Sequence, residues 1–431
     1  MWGGSELASS KSDALANFPE SLYEGTLDCV HCGLCLTHCP TYRVTGRESS
    51  SPRGRIYMMR GVAEGDLPFD QTIADELHLC LGCRACESAC PSGVEYGSLL
   101  EAGRAAAAEA GLRPGVRHRL EGLALRHVLP APRRLRAFTT FLDWAQRLKL
   151  DSWLTAVWPR GLRRAWSLLP PVPPRAARRP LPQFTPAEGP RRGCVALHEG
   201  CLMPELFGAV NRATVRVLSR NGYDVVVPQG QRCCGALLAH AGDLDSARSL
   251  ARQNVKAFTS DASFDMVLSN SAGCGAALRE THHWLPEDGA ALSSRVRDVC
   301  EWLDEVGLRA PLGHLPLRVA YDDPCHLVHA QQVAAAPRRL LEKIPGLELL
   351  QHRDAEACCG AAGTYGLLQP EMSAPILEAK IQSLAEVEPE VVATGNPGCL
   401  LQIRSGAEER DLPFRVLHPI ELIDAAHHAA S

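Results

Sequence analysis

The spacing of apolar positions changes character after residue 192. Before that point it is helical. Residues 1 to about 28 read as a short helical lead-in with a polar start. Pro52 suits the first turn of a helix in which Ile56, Met59 and Val62 share one face. Thr72 to Leu79 predicts a second short helix, and the Ala-rich stretch Gly97 to Ala110 a third, closed by Gly111. From residue 193 short apolar runs alternate with helical stretches. Val195 to His198, Val225 to Val227 and Phe264 to Leu268 read as strands, separated by helices over Pro204 to Asn221 and Asp243 to Phe258. A second set follows, with strands at Val319 to Tyr321, Leu347 to Leu350 and Val391 to Ala393. Each set reads β-α-β-α-β-α. That alternation predicts an open α/β sheet, with ligands where strand ends meet helix starts.

The two sets are copies of one unit. Cys201, Cys233-Cys234-Gly235 and Cys274 recur as Cys325, Cys358-Cys359-Gly360 and Cys399, displaced by 124 or 125 residues. These Cys fall at strand-to-helix junctions, where helix N-termini favour thiolates and anionic clusters. Adjacent thiolates can reach two irons or one shared centre, and the Gly lets the backbone turn away without a Cβ clash. Eight Cys kept in register are expected to form functional sites rather than core packing. Cys194 and Cys300 have no counterpart in the repeat and are expected in the core. His198 and His326 flank site Cys but do not correspond across the repeat. Each is expected to be satisfied locally, with proton handling as the alternative. His427 and His428 are expected in a solvated tail.

A second duplication lies near the N-terminus. Cys29, Cys32, Cys35, Cys39 and Pro40 follow the pattern C-x2-C-x2-C-x3-C-P, and Cys80, Cys83, Cys86, Cys90 and Pro91 repeat it. This spacing is that of ferredoxins with two [4Fe–4S] clusters, in which the fourth Cys ligates the other cluster. One cluster is therefore expected on Cys29, Cys32, Cys35 and Cys90, and the other on Cys80, Cys83, Cys86 and Cys39. Zinc modules set their C-x2-C pairs further apart. Arg53 and Arg55 read as a solvated helix start, or as compensation for cluster charge.

Composition narrows the class. The chain has 431 residues, 18 Cys and a formal net charge of −4. Residues 1–20 lack the apolar region of a signal peptide, so the thiols are expected in a reducing, cytoplasmic compartment as metal ligands. No stretch approaches a membrane span, and there is no C-x-x-C-H haem site or G-x-G-x-x-G dinucleotide fingerprint. Residues 113–192 are distinct, with 17 Arg and Lys against 4 Asp and Glu, and Trp144, Trp153, Trp158 and Trp166. Phe138, Phe141, Leu142, Leu148, Trp153, Leu154 and Trp158 suggest amphipathic helices, and Leu169 to Pro190 a Pro-rich extended linker. A helical layer packed on its neighbours, a dock for an acidic partner, and contact with an anionic membrane surface all fit this segment. Nucleic acid does not, since no recognition module is present.

The expected organisation is thus α+β and multidomain. A helical two-cluster ferredoxin domain over 1–112 leads through the basic connector 113–192 to α/β units over 193–312 and 313–431. Cys29 through Cys35, Cys39-Pro40-Thr41-Tyr42, Pro52-Arg53-Gly54-Arg55-Ile56-Tyr57, Cys86-Glu87, Cys90-Pro91-Ser92-Gly93-Val94 and His418-Pro419-Ile420-Glu421-Leu422 carry a resemblance across nearly the whole chain. It resembles the iron–sulfur subunit of glycolate oxidase, and less closely lactate-utilisation proteins, the anchor subunit of anaerobic glycerol-3-phosphate dehydrogenase, and heterodisulfide reductase. The resemblance implies an FAD-binding partner that oxidises glycolate or another 2-hydroxy acid. It also implies onward transfer to a quinone-type acceptor, peripheral contact with the inner face of the cell membrane, and no catalytic residue on this chain. The competing reading is a heterodisulfide-reductase-like or lactate-utilisation subunit that uses the Cys-Cys-Gly (CCG) cysteines as an active site. In heterodisulfide reductase each unit ends in C-x-x-C, and here Ser271 and Asn396 replace the first Cys of that pair. Four thiolates per unit are compatible with an additional cluster, a zinc ion or a free thiol site.

Overall fold

The computed structural model describes residues 20–112, 115–148, 171–260 and 263–430. The start of the lead-in and Trp153, Leu154, Trp158 and Trp166 of the connector lie outside the described residues. The first layer is helical. Helices Glu20–Leu27, Pro52–Ala63, Gln71–Leu79 and Tyr96–Glu109 surround a core that includes Leu22, Ile56, Met59, Val62, Leu77 and Leu100. Two of these helix starts are fixed by side chains. Ser51 Oγ accepts the Gly54 N–H ahead of Pro52, and Asp70 accepts the Ile73 N–H. Each bond satisfies an amide that the helix cannot pair internally.

The remainder forms two sheets. The first has strands β1 (Phe184–Thr185), β2 (Gly193–His198), β3 (Tyr223–Val226), β4 (Met266–Ser269) and β5 (Val296–Asp298), in the order β1-β3-β2-β4-β5. The second has β6 (Arg318–Tyr321), β7 (Glu348–Leu350), β8 (Val391–Ala393) and β9 (Arg415–Leu417), in the order β7-β6-β8-β9. All pairs are parallel except β1 with β3. In each unit the first strand is central. The chain goes from it to one side and then crosses to the other, which creates a switch point at its C-terminal end. Val195, Ala196 and Leu197 of β2 are fully buried. Helices cover both faces of a parallel sheet, and this explains the continuous apolar run. The helices Gly208–Arg220 and Pro419–Ala429 pack together, so one core runs through both units.

The structure departs from the sequence pattern in four places. Strands β5 and β9 were not expected; each has three residues and carries an Arg, too short and polar to read by period. The Pro-rich stretch is no free linker. Phe184 and Thr185 pair with Val226 and Val225 at a sheet edge, a position that tolerates nearby Pro. His427 is not in a solvated tail. It is buried, with Nδ1 2.8 Å from Pro311 O and Nε2 3.1 Å from Asn221 Nδ2, while His428 is half-exposed beside Asp424.

The fourth departure is in the connector. Helix Pro132–Arg147 turns Leu135, Thr139, Leu142 and Asp143 inward and leaves Phe138, Phe141, Trp144 and the following Leu148 exposed. Of the aromatics and leucines assigned to amphipathic helices, Leu142 alone among those described is buried. Buried charge holds the inner face instead. Arg178 donates to Asp143 at 3.1 Å and lies 3.7 Å from Glu205, which accepts from Arg136 and Thr139. The neighbouring helix Gly115–His127 also exposes an apolar stripe, Val116, Leu120 and Leu123.

Arg178→Met should strand Asp143 and Glu205 without their buried cation, at a cost of about 3–5 kcal/mol. Limited proteolysis should then cut around helix Pro132–Arg147 sooner. Arg147→Ala, on the exposed end of the same helix, should change stability by only about 0.5 kcal/mol.

Candidate functional site

The two N-terminal Cys runs share a backbone as well as a spacing. The residues on either side of the second Cys are left-handed in both: His31 (φ 55°) and Gly33 (84°), then Gly82 (63°) and Arg84 (63°). Such alternation curls a loop into a concavity lined by N–H groups, a shape that suits an anion. Left-handed His31 and Arg84 carry strain of about 1 kcal/mol or more, which persists only where surroundings enforce it. Arg84 is enforced by Glu87, at 2.8 Å, and by Glu280 of the first α/β unit.

These loops wall two cavities. Cys29, Cys32, Cys35 and Cys90 line the outer one, with Ile56 and Tyr96. Cys39, Cys80, Cys83 and Cys86 line the inner one, with Arg84 and Tyr96. The fourth Cys of each run therefore sits with the other run. Cys86 borders both cavities. Cys32 is exposed, whereas all four Cys of the inner cavity are buried. Burial pushes the Cys35 and Cys39 thiols up and the Cys86 thiol well above its usual range. Thiolates at such positions require a cationic centre between them. Among the described residues, no three or more His, Cys, Asp or Glu side chains are placed to hold a single metal ion. The Cys ring the cavities, the arrangement that suits a cluster ligated at separate irons.

Buried arginines support the inner cavity. Arg55 is wholly buried; its Nε donates to Glu76 O at 2.6 Å and its terminal nitrogens to Thr41 Oγ1 at 3.2 and 3.3 Å. Burial opposes its charge, but Tyr96, Cys80, Cys39 and Glu76 outweigh burial and raise its pKa. Thr41 Oγ1 in turn lies 3.2 Å from Cys39 Sγ. Arg104 donates to Leu77 O at 2.9 Å, to Cys80 O, and to His240 O at 2.8 Å. The solvated reading therefore fails for Arg55, while Arg53 stays partly exposed and donates to Glu48 and to His31 O. Arg104, Thr41 and Tyr96 were missed. The lone charge within the Ala-rich run 102–108 was the available signal for Arg104.

In the α/β units the repeat Cys gather at the switch points. Cys201, Cys233-Cys234 and Cys274 follow β2, β3 and β4; Cys325, Cys358-Cys359 and Cys399 follow β6, β7 and β8. Cys233 Sγ lies 3.5 Å from Cys201 Sγ. Hydrogen bonds from Cys201 and Cys234 hold Cys233 well below the usual thiol range, and Cys358 and Cys399 do the same for Cys359. Gly360 is left-handed (φ 85°), and a Cβ there would meet Ser373 O at 2.9 Å, so the last letter of Cys-Cys-Gly is a packing requirement. Cys194 and Cys300 are buried in the core. Asn396 bridges the units: its Oδ1 accepts the Gly273 N–H at 3.1 Å and its Nδ2 donates to Cys399 Sγ at 3.5 Å.

The copies differ electrostatically. In the second, buried Lys380 donates to buried Asp322 at 2.5 Å. Burial opposes the Lys380 charge, but Asp322, Cys359 and Cys358 prevail and raise its pKa. The same positions in the first unit are His198, kept neutral by burial, and Asn254. The copies also differ in reach. Cys358 hydrogen-bonds to Cys83 of the inner cavity and holds that thiol below its usual range. Leu81, Cys83, Ala85, Cys358, Tyr365, Met372 and Ile376 pack as one cluster, and Tyr365 Oη donates to Leu79 O at 2.6 Å. The second unit is thus docked on the inner cavity.

Two ferredoxin-like Cys loops joined to duplicated thiol sites define an iron–sulfur electron-transfer protein. Residues 25–94 match the family model of a 4Fe-4S dicluster domain, and residues 195–279 and 319–404 that of a cysteine-rich domain. The chain is 38% identical to the probable glycolate oxidase iron-sulfur subunit of Bacillus subtilis strain 168, over 96% of this chain and 97% of that one. It is 34% identical to the glycolate oxidase iron-sulfur subunit of Escherichia coli strain K12, over 92% and 93%. Lactate utilization protein A of Geobacillus kaustophilus is 32% identical over 54% of this chain and 98% of its own length. The chain belongs to the family of glycolate oxidase iron–sulfur subunits. It is an electron-transfer subunit of an oxidoreductase complex and binds two [4Fe–4S] clusters.

Arg55→Met removes a buried cation beside Cys39 and Cys80. Potentiometric EPR should show one of the two cluster couples shifted negative by about 60 mV or more, a tenfold change in its one-electron equilibrium. An unshifted pair of couples would deny Arg55 an electrostatic role.

Proposed function

We propose that the chain relays electrons from a flavin-bearing partner, which oxidises glycolate or another 2-hydroxy acid, to a quinone-type acceptor. In this reading Cys29, Cys32, Cys35 and Cys90 hold the entry cluster, and Cys80, Cys83, Cys86 and Cys39 the inner one. The grouping of the Cys around the two cavities supports that ligation. Two one-electron centres held by these Cys would divide the electron pair of a flavin between them. The observation that carries the direction is the contrast in depth. Cys32 is exposed, with exposed Val30, Leu34 and Tyr57 around it, whereas the inner cavity touches the second α/β unit through Cys83 and Cys358. An apolar rim at the outer cavity suits a docking partner.

The connector supports contact with a membrane surface in this reading. Exposed Phe138, Phe141 and Trp144 share helix Pro132–Arg147 with Arg133, Arg134 and Arg147, a combination that favours an anionic surface. No helix among the described residues is long and apolar enough to cross a membrane. The working place in this reading is the cytoplasmic face of the membrane, with contact through this helix.

Cys90→Ser should damage the entry cluster and spare the inner one, measured by iron content and EPR of protein kept anaerobic. Loss of the inner cluster alone would overturn the crossed ligation. The purified chain should not turn over disulfides by itself; turnover would favour the reading in which the repeat Cys form an active site. Trp144→Glu should weaken flotation with anionic vesicles by about tenfold, a loss of ~1.4 kcal/mol, while neutral vesicles bind neither form well.

A further inference from the structure

A cleft of about 740 Å³ opens between helix Tyr96–Glu109 of the helical layer and helices Ala236–His240 and Ala272–Arg279 of the first α/β unit. Gly82 and Arg84, from the loop that walls the inner Cys cavity, form part of its lining. Small side chains keep it open: Ala102, Ala105 and Ala106 from one helix, Ala276 and Ala277 from the other. Helix propensity explains an Ala-rich helix in general. It does not explain two Ala faces set across a cleft beside a cluster loop.

The polar groups of the cleft are arranged in pairs. Its arginines are neutralised: Arg84 by Glu280, Arg126 by Asp243 and Arg248 by Asp245. An anionic ligand would therefore find no spare cation. Glu101 lies within hydrogen-bond reach of His240 Nδ1 at 3.1 Å and accepts from Trp284 Nε1 at 3.1 Å. These bonds outweigh burial and keep its carboxyl ionised. Glu101 thus orients the His240 ring, whose Nε2 has no hydrogen bond among the described residues. The His326 ring stands 5.5 Å from that of His240, and its buried Nε2 also has no hydrogen-bond partner among the described residues. His326 opens a π-helical turn, a distortion often found at functional sites, and its Nδ1 lies 3.6 Å from Cys325 Sγ.

We infer that this cleft binds the ring of a neutral quinone, with its carbonyl oxygens received by His240 and His326 beside the inner cluster. The Ala walls and Trp284 accept a flat apolar body, and two imidazoles 5.5 Å apart supply hydrogen bonds. The inference rests on the relay proposed above and assigns its exit. The reaction balances as a two-electron, two-proton reduction. Two reduced clusters held in the neighbouring Cys cavities would supply one electron each. The quinone takes both electrons with two protons and leaves as hydroquinone. Both protons come from solvent at the cleft mouth, one of them relayed by His240, whose ring Glu101 holds in place. Glu101 is a positioning residue for His240.

The test uses the full-length chain, kept anaerobic, and a photoactivatable azido-naphthoquinone. Label should fall on peptides from residues 96–109, 236–243 and 272–284, and excess menadione should remove it. Ala105→Phe should cut labelling by about tenfold or more, with cluster absorbance unchanged as the check on folding. Ala276→Phe does the same from the opposite wall if the first variant is unstable. His240→Gln should keep the label but slow menadione-driven reoxidation of the reduced clusters, with ferricyanide reoxidation unaltered. Labelling elsewhere, or undiminished labelling in both folded Phe variants, would overturn the inference and leave the relay standing. Clusters that accept no electrons would overturn the relay, whatever the labelling pattern.

Discussion

Thiolate charge removed from water is the constraint on which this structure turns. Sixteen of the 18 Cys are collected into four groups, most of them buried, and each group needs cations or proton sharing to exist. Different groups meet the need differently. The inner N-terminal cavity has wholly buried Arg55 at Cys39 and Cys80, and Arg104 at the Cys80 carbonyl. The second α/β unit has Lys380 against Asp322 and Cys359. The first unit has no equivalent cation at the Lys380 position and relies on hydrogen bonds among its own thiols. The outer cavity leaves Cys32 to solvent.

That distribution gives the duplicated halves different work. The two α/β units keep the same strand order and the same placement of Cys at the switch point. Beyond the extra edge strand β1 of the first sheet, the copies differ in what surrounds the thiols. Lys380 and Asp322 replace Asn254 and His198, and Cys358 reaches Cys83. The second unit thus packs its thiol site directly against the inner cavity. The first unit instead supplies Ala276, His240 and Trp284 to the cleft beside it. A single ancestral fold has been used once as a thiol site against the ferredoxin layer and once as a wall.

Much of this was legible in the sequence because the signals were local or periodic. The C-x2-C-x2-C-x3-C spacing fixes a loop shape, and the repeat register places each Cys after a strand whose apolar run is continuous. What escaped had other causes. Strands β5 and β9 are too short to show a period. Arg55 looks like any helix-start arginine until Thr41, Glu76 and Tyr96 close over it. Helix Pro132–Arg147 inverts the usual rule because Arg178, distant in sequence, supplies the charge that lets Asp143 face inward. The Cys83–Cys358 contact and the cleft both join segments from different domains, and no local pattern records such a meeting.

In the proposed relay the two clusters are neighbours, since Cys86 borders both cavities. EPR of the full-length chain during stepwise reduction tests it most directly. A simple [4Fe–4S]⁺ signal is expected at half reduction, broadened and split at full reduction as two neighbouring spins interact. Two signals that add without interaction, or a single signal at every stage, would contradict it.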